Sequence, residues 1–284
     1  MTKKPNLFIV GHTRSGTTSL KYYLEQHPDV FMVHNKKGYF GFETDYNSED
    51  EYLKQFSKVK NQTVIAEKCT DYLICPETAK RLKFFNPESK IIIMLRNPVE
   101  QSYSLHRYLL NETIETFKNF SDALDAENFR KTEINSKKYS HHLFYREQMC
   151  YSKMIKRYFD HFDKKNIFII IFDDFKKNPL EIFKNICIFL EIDHNFIPKI
   201  EIKNVSRAYR SKFIQIIFKR TPDFLKNILR YIPYSREIFI RINFPEKSIP
   251  KMNTSLKMQL QKEILGEMQS LSLLLNRDMT FGCK

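Results

Sequence analysis

The chain has 284 residues, with 47 Lys and Arg against 33 Asp and Glu, a net charge of +14, and 42% hydrophobic and 14% aromatic residues. This is the composition of a globular protein rather than a disordered one, and its length allows one large domain or two small ones. No stretch reaches the ~20 apolar residues needed to cross a bilayer, and the short apolar run Leu7–Val10 is no signal peptide. The charge calls for an anionic partner: nucleic acid, acidic lipid, a phosphorylated cofactor or a sulfated glycan.

The first predicted strand is Leu7–Val10, and it ends at Gly11. His12-Thr13-Arg14-Ser15-Gly16-Thr17-Thr18 then leads into a predicted helix, Thr18–Gln26. A strand, a glycine-bounded loop and a helix start form an anion cradle, because unpaired N–H groups and the positive end of the helix dipole converge there. Gly11 and Gly16 have the G-x-x-x-x-G spacing of a nucleoside-triphosphate loop, but Thr17 stands where that motif needs lysine. The basic residue lies inside the loop, at Arg14, which disfavours a P-loop nucleotide kinase.

Thr63–Ala66 reads as a second strand and Cys75–Phe85 as a helix. Ile91–Leu95 is a third, fully apolar strand, with Arg96 at its carboxyl end; Asn97 caps and Pro98 opens the next helix, predicted over Val99–Leu110. Ser104 follows Arg96 about two helical turns later. Ligands of open α/β sheets bind outside the carboxyl ends of the strands, so Arg96 and Ser104 form a second candidate phosphate site. Together the two sites describe a nucleotide with phosphates at both ends. Helices over Tyr151–Phe162 and Leu180–Leu190 flank a last strand, Ile167–Phe172. Short apolar strands alternating with helices predict a parallel sheet covered on both faces, an α/β fold of one main domain.

The tail differs. Lys203 to Lys251 carries 12 Lys and Arg and three Asp and Glu, interleaved with aromatic and aliphatic residues. Amphipathic helices packed on the sheet account for this pattern, and so does a surface for an anionic acceptor or a membrane. Cys69, Cys75, Cys150, Cys187 and Cys283 form no C-x-x-C pair, so neither a disulfide scaffold nor structural zinc is expected, and a reducing cytoplasm fits.

PNLFIVGHTRSGTTSLKYYLEQHPDVFM and IIIMLRNPVEQSYSLHRYL together resemble the 5′-phosphosulfate and 3′-phosphate motifs of sulfotransferases that use 3′-phosphoadenosine 5′-phosphosulfate (PAPS). AEKCTDYL, Tyr151 and IFIIIFDDFKKNPLEIFKNICIFLEID add to the likeness, which runs from about Pro5 to Asp193 and is nearest in style to the bacterial and heparan-sulfate-type branch. The resemblance implies a P-loop-like parallel sheet flanked by helices, residues 5–200 as its core, and a basic, mostly helical part over 201–284. It implies Arg14, in place of the family's usual lysine, beside the transferred group, and Ser15, Gly16, Thr17 and Thr18 on the 5′-phosphate. Arg96 and Ser104 take the 3′-phosphate, Lys68 lines the acceptor side, and Arg210 is a further cofactor contact. The resemblance implies PAPS as the donor, no metal, and an anionic glycan or glycolipid rather than nucleic acid as the expected acceptor.

One departure concerns the general base. The carbohydrate branch often carries a Lys-Glu-Pro-x-Phe-Phe element whose glutamate takes the acceptor proton. Here the segment is Lys36-Lys37-Gly38-Tyr39-Phe40-Gly41, and Lys37 stands in the glutamate position. Either Lys37 has a depressed pKa, or the base lies elsewhere, or the chain binds PAPS without efficient transfer. Glu43, just downstream, and His106, on the helix of Ser104, are the candidate bases. A basic binding module is the rival from another class; it explains the charge but leaves both phosphate motifs as coincidence.

Overall fold

The computed structural model describes residues 3–34, 38–44, 46–132, 141–201, 250–281 and 283. Five strands, β1 (Leu7–Gly11), β2 (Val30–Met32), β3 (Val64–Cys69), β4 (Lys90–Leu95) and β5 (Ile167–Ile171), pair in parallel in the order β2-β3-β1-β4-β5. β1 is central and wholly buried, which is why its four apolar residues do not alternate with polar ones. β3 continues through Glu67-Lys68-Cys69, three residues beyond the apolar segment that announces it. β2 is only three residues long and too short to stand out in the sequence.

Successive strand residues face opposite sides. Leu7, Ile9, Val64, Ala66, Ile92 and Met94 meet α1 (Thr17–Leu24) and α10 (Pro179–Leu190) in one core, with Leu20, Leu24, Phe183 and Ile186 fully or almost fully buried. Each such side chain contributes about 1.5–3 kcal/mol. On the other face Phe8 meets Phe40 edge-on at 5.9 Å between ring centres, and Tyr72 of α3 (Asp71–Ile74) packs beside them. α4 (Thr78–Phe85) starts later than the sequence pattern predicts, because Cys75 precedes Pro76 and is extended (ψ 121°). The remaining helices in order are α2 (Glu49–Leu53), α5 (Pro98–Asn111), α6 (Phe120–Thr132), α7 (Tyr145–Gln148), α8 (Tyr151–His161), α9 (Phe172–Lys177), α11 (Thr254–Glu263) and α12 (Leu265–Leu275).

The chain divides into two compact units. The first holds the sheet and comprises Met1–Gln101, Gln148–Asn204 and Gln261–Lys284. In it Glu267 of α12 receives the backbone N–H and the hydroxyl of Ser152 at the start of α8 (2.6 and 2.8 Å), and Arg277 forks onto Asp174 at 2.6 and 3.1 Å. The second unit comprises Ser102–Glu147 and Val205–Leu260. Its described centre is a buried cluster in which Arg130 grips both oxygens of Glu115 (2.7 and 2.9 Å) and Tyr145 donates to the same carboxylate at 2.8 Å. Burial pushes the Glu115 carboxyl up, but the N–H of Phe117, the Tyr145 hydroxyl and Arg130 pull it further down, and it stays ionised. Most of the basic segment Lys203–Lys251 lies outside the described residues. No helix among the described residues is long and apolar enough to cross a membrane.

Candidate functional site

The register of β1 sets the site. Val10 lies beside Cys69 of β3, Gly11 beside Met94 of β4, and the chain leaves the sheet at the point where its neighbours lie to either side. A side chain on Gly11 would stand 2.6 Å from the Met94 carbonyl oxygen, so only glycine lets the loop cross here. Gly16 closes the loop at φ 100°, a left-handed conformation, with the Phe172 ring 2.6 Å from where a Cβ would be. α1 starts at the next residue without a side-chain cap, leaving its first N–H groups directed out of the helix end.

Within the loop Ser15 turns inward: its N–H and its hydroxyl both donate to the His12 carbonyl, at 3.1 and 2.6 Å. Thr17 is buried and Thr18 half-buried in the first turn of α1. Arg14 holds a left-handed φ of 75°, rare for a residue with a side chain; it costs ~1–3 kcal/mol and persists only where its surroundings impose it. The surroundings do. Arg96 Nη1 donates to the Arg14 carbonyl at 3.2 Å, Gln101 Nε2 to the Thr13 carbonyl at 2.8 Å, and the Thr13 hydroxyl to that of Thr70 at 3.1 Å.

Arg96 follows β4 immediately, as expected, and Asn97 caps α5 by accepting from the N–H groups of Val99 (3.1 Å) and Glu100 (3.2 Å). The Arg96 guanidinium lies over the Phe172 ring at 4.9 Å and within 3.7 Å of Glu100. Among the described residues its Nε is buried without a hydrogen-bond partner, and so is the hydroxyl of Tyr151, which burial pushes well above the ordinary tyrosine range. The Tyr151 ring is stacked on His12 of the loop at 4.9 Å.

Lys68 is the penultimate residue of β3, beside Ile9 and half-buried, and desolvation lowers its pKa. Lys21 of α1, also lowered chiefly by burial, feels the Lys68 charge and donates to the Val33 carbonyl at 3.1 Å. Behind Lys68, Glu67 is fully buried and accepts from the hydroxyls of Tyr52 (2.7 Å) and Tyr72 (2.9 Å). Glu43 lies exposed in the bend after Gly41. Ser104 and His106 belong to the second unit. His106 is buried among Tyr103, Phe120 and Tyr145, not on an exposed face; its Nε2 pairs with the Phe117 carbonyl at 2.9 Å, its Nδ1 has no hydrogen-bond partner, and burial lowers its pKa. Lys37 and Arg210 lie outside the described residues.

The structure thus gathers Arg14, Ser15, Gly16, Thr17, Thr18 and Arg96 around one strand end, with Lys68 at the end of the adjoining strand. Gln101 and Phe172 join them unannounced by the sequence. Their only signal was position: one lies a single helical turn beyond Asn97, the other at the end of β5.

A family model described as the sulfotransferase domain matches residues 4–222. Over 108 residues the chain is 38% identical to the membrane-associated sulfotransferase kil1 of Dictyostelium discoideum, which covers 37% of this chain and 23% of that protein. It is 27% identical over 207 residues to the bifunctional heparan sulfate N-deacetylase/N-sulfotransferase 1 of Caenorhabditis briggsae, covering 66% of this chain and again 23% of the relative. The chain thus matches about a quarter of the length of these relatives. Among solved structures, a sulfotransferase from Alicyclobacillus acidocaldarius superimposes with a TM-score of 0.75, 25% identity and 98% coverage of both chains.

Proposed function

The chain belongs to the sulfotransferase domain family, and we propose that it moves a sulfuryl group from PAPS to a hydroxyl or amine of a carbohydrate or glycolipid acceptor. The observation that carries this reading is the loop Gly11–Thr18, braced by Arg96 and lacking the lysine that a triphosphate-cleaving loop needs at Thr17. The residues present fit such a donor. The two glycines let the loop pass close to Met94 and Phe172 while the start of α1 keeps no side-chain cap, and the buried, unpartnered Arg96 Nε and Tyr151 hydroxyl mark a place where polar atoms belong.

In this reading Gly16, Thr17 and Thr18 hold the 5′-phosphate, Arg96 and Ser104 hold the 3′-phosphate, and Ser15 keeps the loop in shape. When bound, PAPS supplies a sulfuryl group on a phosphate leaving group. Arg14, Lys68 and the N-terminus of α1 stabilise the charge that develops on that phosphate and on the sulfuryl oxygens. Burial lowers the Lys68 pKa; a dianion beside it raises it again and holds the lysine protonated. Positioning for in-line attack does much of the remaining work, as in phosphoryl transfer. Glu43 or His106 takes the acceptor proton. The names of the heparan sulfate relatives support a glycan acceptor, and five cysteines without a C-x-x-C pair accord with a reducing compartment.

Thermal unfolding with adenosine 3′,5′-bisphosphate tests the reading. At a hundredfold excess over Kd the ligand should add ~2.7 kcal/mol to stability. No shift with this ligand, alongside a shift with ATP or duplex DNA, would overturn it.

A further inference from the structure

The donor reading gives the loop and Arg96 one phosphate each, yet the two motifs touch. Two consecutive loop carbonyls are held by side chains of the segment that carries the 3′ motif: Thr13 by Gln101 at 2.8 Å and Arg14 by Arg96 at 3.2 Å. The C=O and N–H of a trans peptide unit point in opposite directions. Fixing the Thr13 carbonyl therefore aims the Arg14 N–H, and fixing the Arg14 carbonyl aims the Ser15 N–H, which closes the turn onto His12 at 3.1 Å. The bond between these two units is the one that passes through the left-handed Arg14. Phe172 adds a third tie, packed against Gly16 on one side and under the Arg96 guanidinium on the other. Gln101 is fully buried, so its amide serves the inside of the site and not solvent.

We propose that Gln101 and Arg96 are positioning residues for the 5′ loop: they hold it in its anion-binding shape from the 3′ motif, so that its grip on a 5′-phosphosulfate depends on them even when the ligand has no 3′-phosphate. The proposal rests on the donor reading above. It has a thermodynamic corollary: an anion that engages Arg96 and a group that engages the loop change each other's affinity by the same factor.

Calorimetric titration of the full chain with two probes, adenosine 3′,5′-bisphosphate and adenosine 5′-phosphosulfate, tests this. Gln101→Leu, close to isosteric but unable to donate, should weaken both probes by the same factor, about tenfold for one lost hydrogen bond. Arg96→Ala should weaken both, and the bisphosphate more. Ser104→Ala should weaken the bisphosphate alone. A role in folding only would lower the Tm of Gln101→Leu and leave both affinities within twofold of wild type below the transition; that result overturns the proposal. So does an Arg96→Ala protein that loses affinity for the bisphosphate but binds the phosphosulfate as wild type does. In both cases the wild type still binds the bisphosphate and the donor reading stands. A wild type that binds neither probe removes the donor reading and this inference with it.

Discussion

The loop of the first unit and the buried ionic cluster of the second treat polar groups in opposite ways. In the cluster, Arg130 lays two donors on Glu115 and one on the Leu143 carbonyl, and Tyr145 completes the carboxylate. Around the loop, Arg14 sits in a conformation it would not choose alone, and Arg96 Nε and the Tyr151 hydroxyl are buried without partners. Satisfied networks hold a scaffold together; strain and unmet hydrogen-bonding capacity persist where a ligand completes the structure. His106 is an exception that tests the division, since it sits in the second unit with Nδ1 unpartnered among the described residues.

The largest expected effect decides that exception. Glu43→Gln and His106→Gln, assayed for sulfuryl transfer, should separate: the residue that acts as base loses ~10²–10⁴-fold in kcat. A loss at His106 would break the comparison by giving the second unit a catalytic group; a loss at Glu43 would sharpen it. If both variants stay within a few-fold of wild type, the base is neither, and Lys37 becomes the residue to substitute.

Next in size is Arg130→Met. Removing one partner of a buried pair strands the other, and ~3–5 kcal/mol of stability should go in denaturant unfolding. Affinity for adenosine 3′,5′-bisphosphate below the transition should hold. A parallel loss of affinity would show that the cluster is not scaffold alone.

Glu127, also buried in the second unit, gives a smaller effect that depends on pH. Burial pushes its carboxyl from 4.5 up to about 7, against the opposing N–H of Arg146. A carboxyl raised on folding binds its proton more tightly in the native state, so stability falls as pH rises from the unfolded value through the folded one. Between about pH 4.5 and pH 7 the wild type should lose up to ~3 kcal/mol relative to Glu127→Gln. Parallel stability curves for the two proteins across that window would refute the shift.

The smallest stability effect has the opposite sign. Arg14→Gly removes a left-handed residue with a side chain, and the protein should gain ~1 kcal/mol in thermal unfolding while transfer falls. If stability drops, the φ of 75° is not a strain that the ligand site imposes.

The anion loop was legible in the sequence because its chemistry is local. Two glycines with four residues between them, a strand before and a helix after are enough to place N–H groups together, and Asn97-Pro98 announces a helix start by the same local logic. β2 escaped notice because three residues carry no period. The end of β3 escaped because Glu67 and Lys68 look like loop residues until Tyr52 and Tyr72 are seen to satisfy the carboxylate. The burial of His106 was equally hidden, since its aromatic neighbours come from three separate stretches of the chain.

By itself, then, the sequence determined an α/β chain with an anion loop after the first strand and an arginine after the strand Lys90–Leu95, since turn chemistry and apolar runs act over a few residues. Only the tertiary structure decided that these motifs lie on adjacent strands, that Gln101 and Arg96 hold the loop's carbonyls, and that Phe172 packs between Gly16 and Arg96. Those contacts depend on strand order and register, which are set by how the whole sheet buries its two faces.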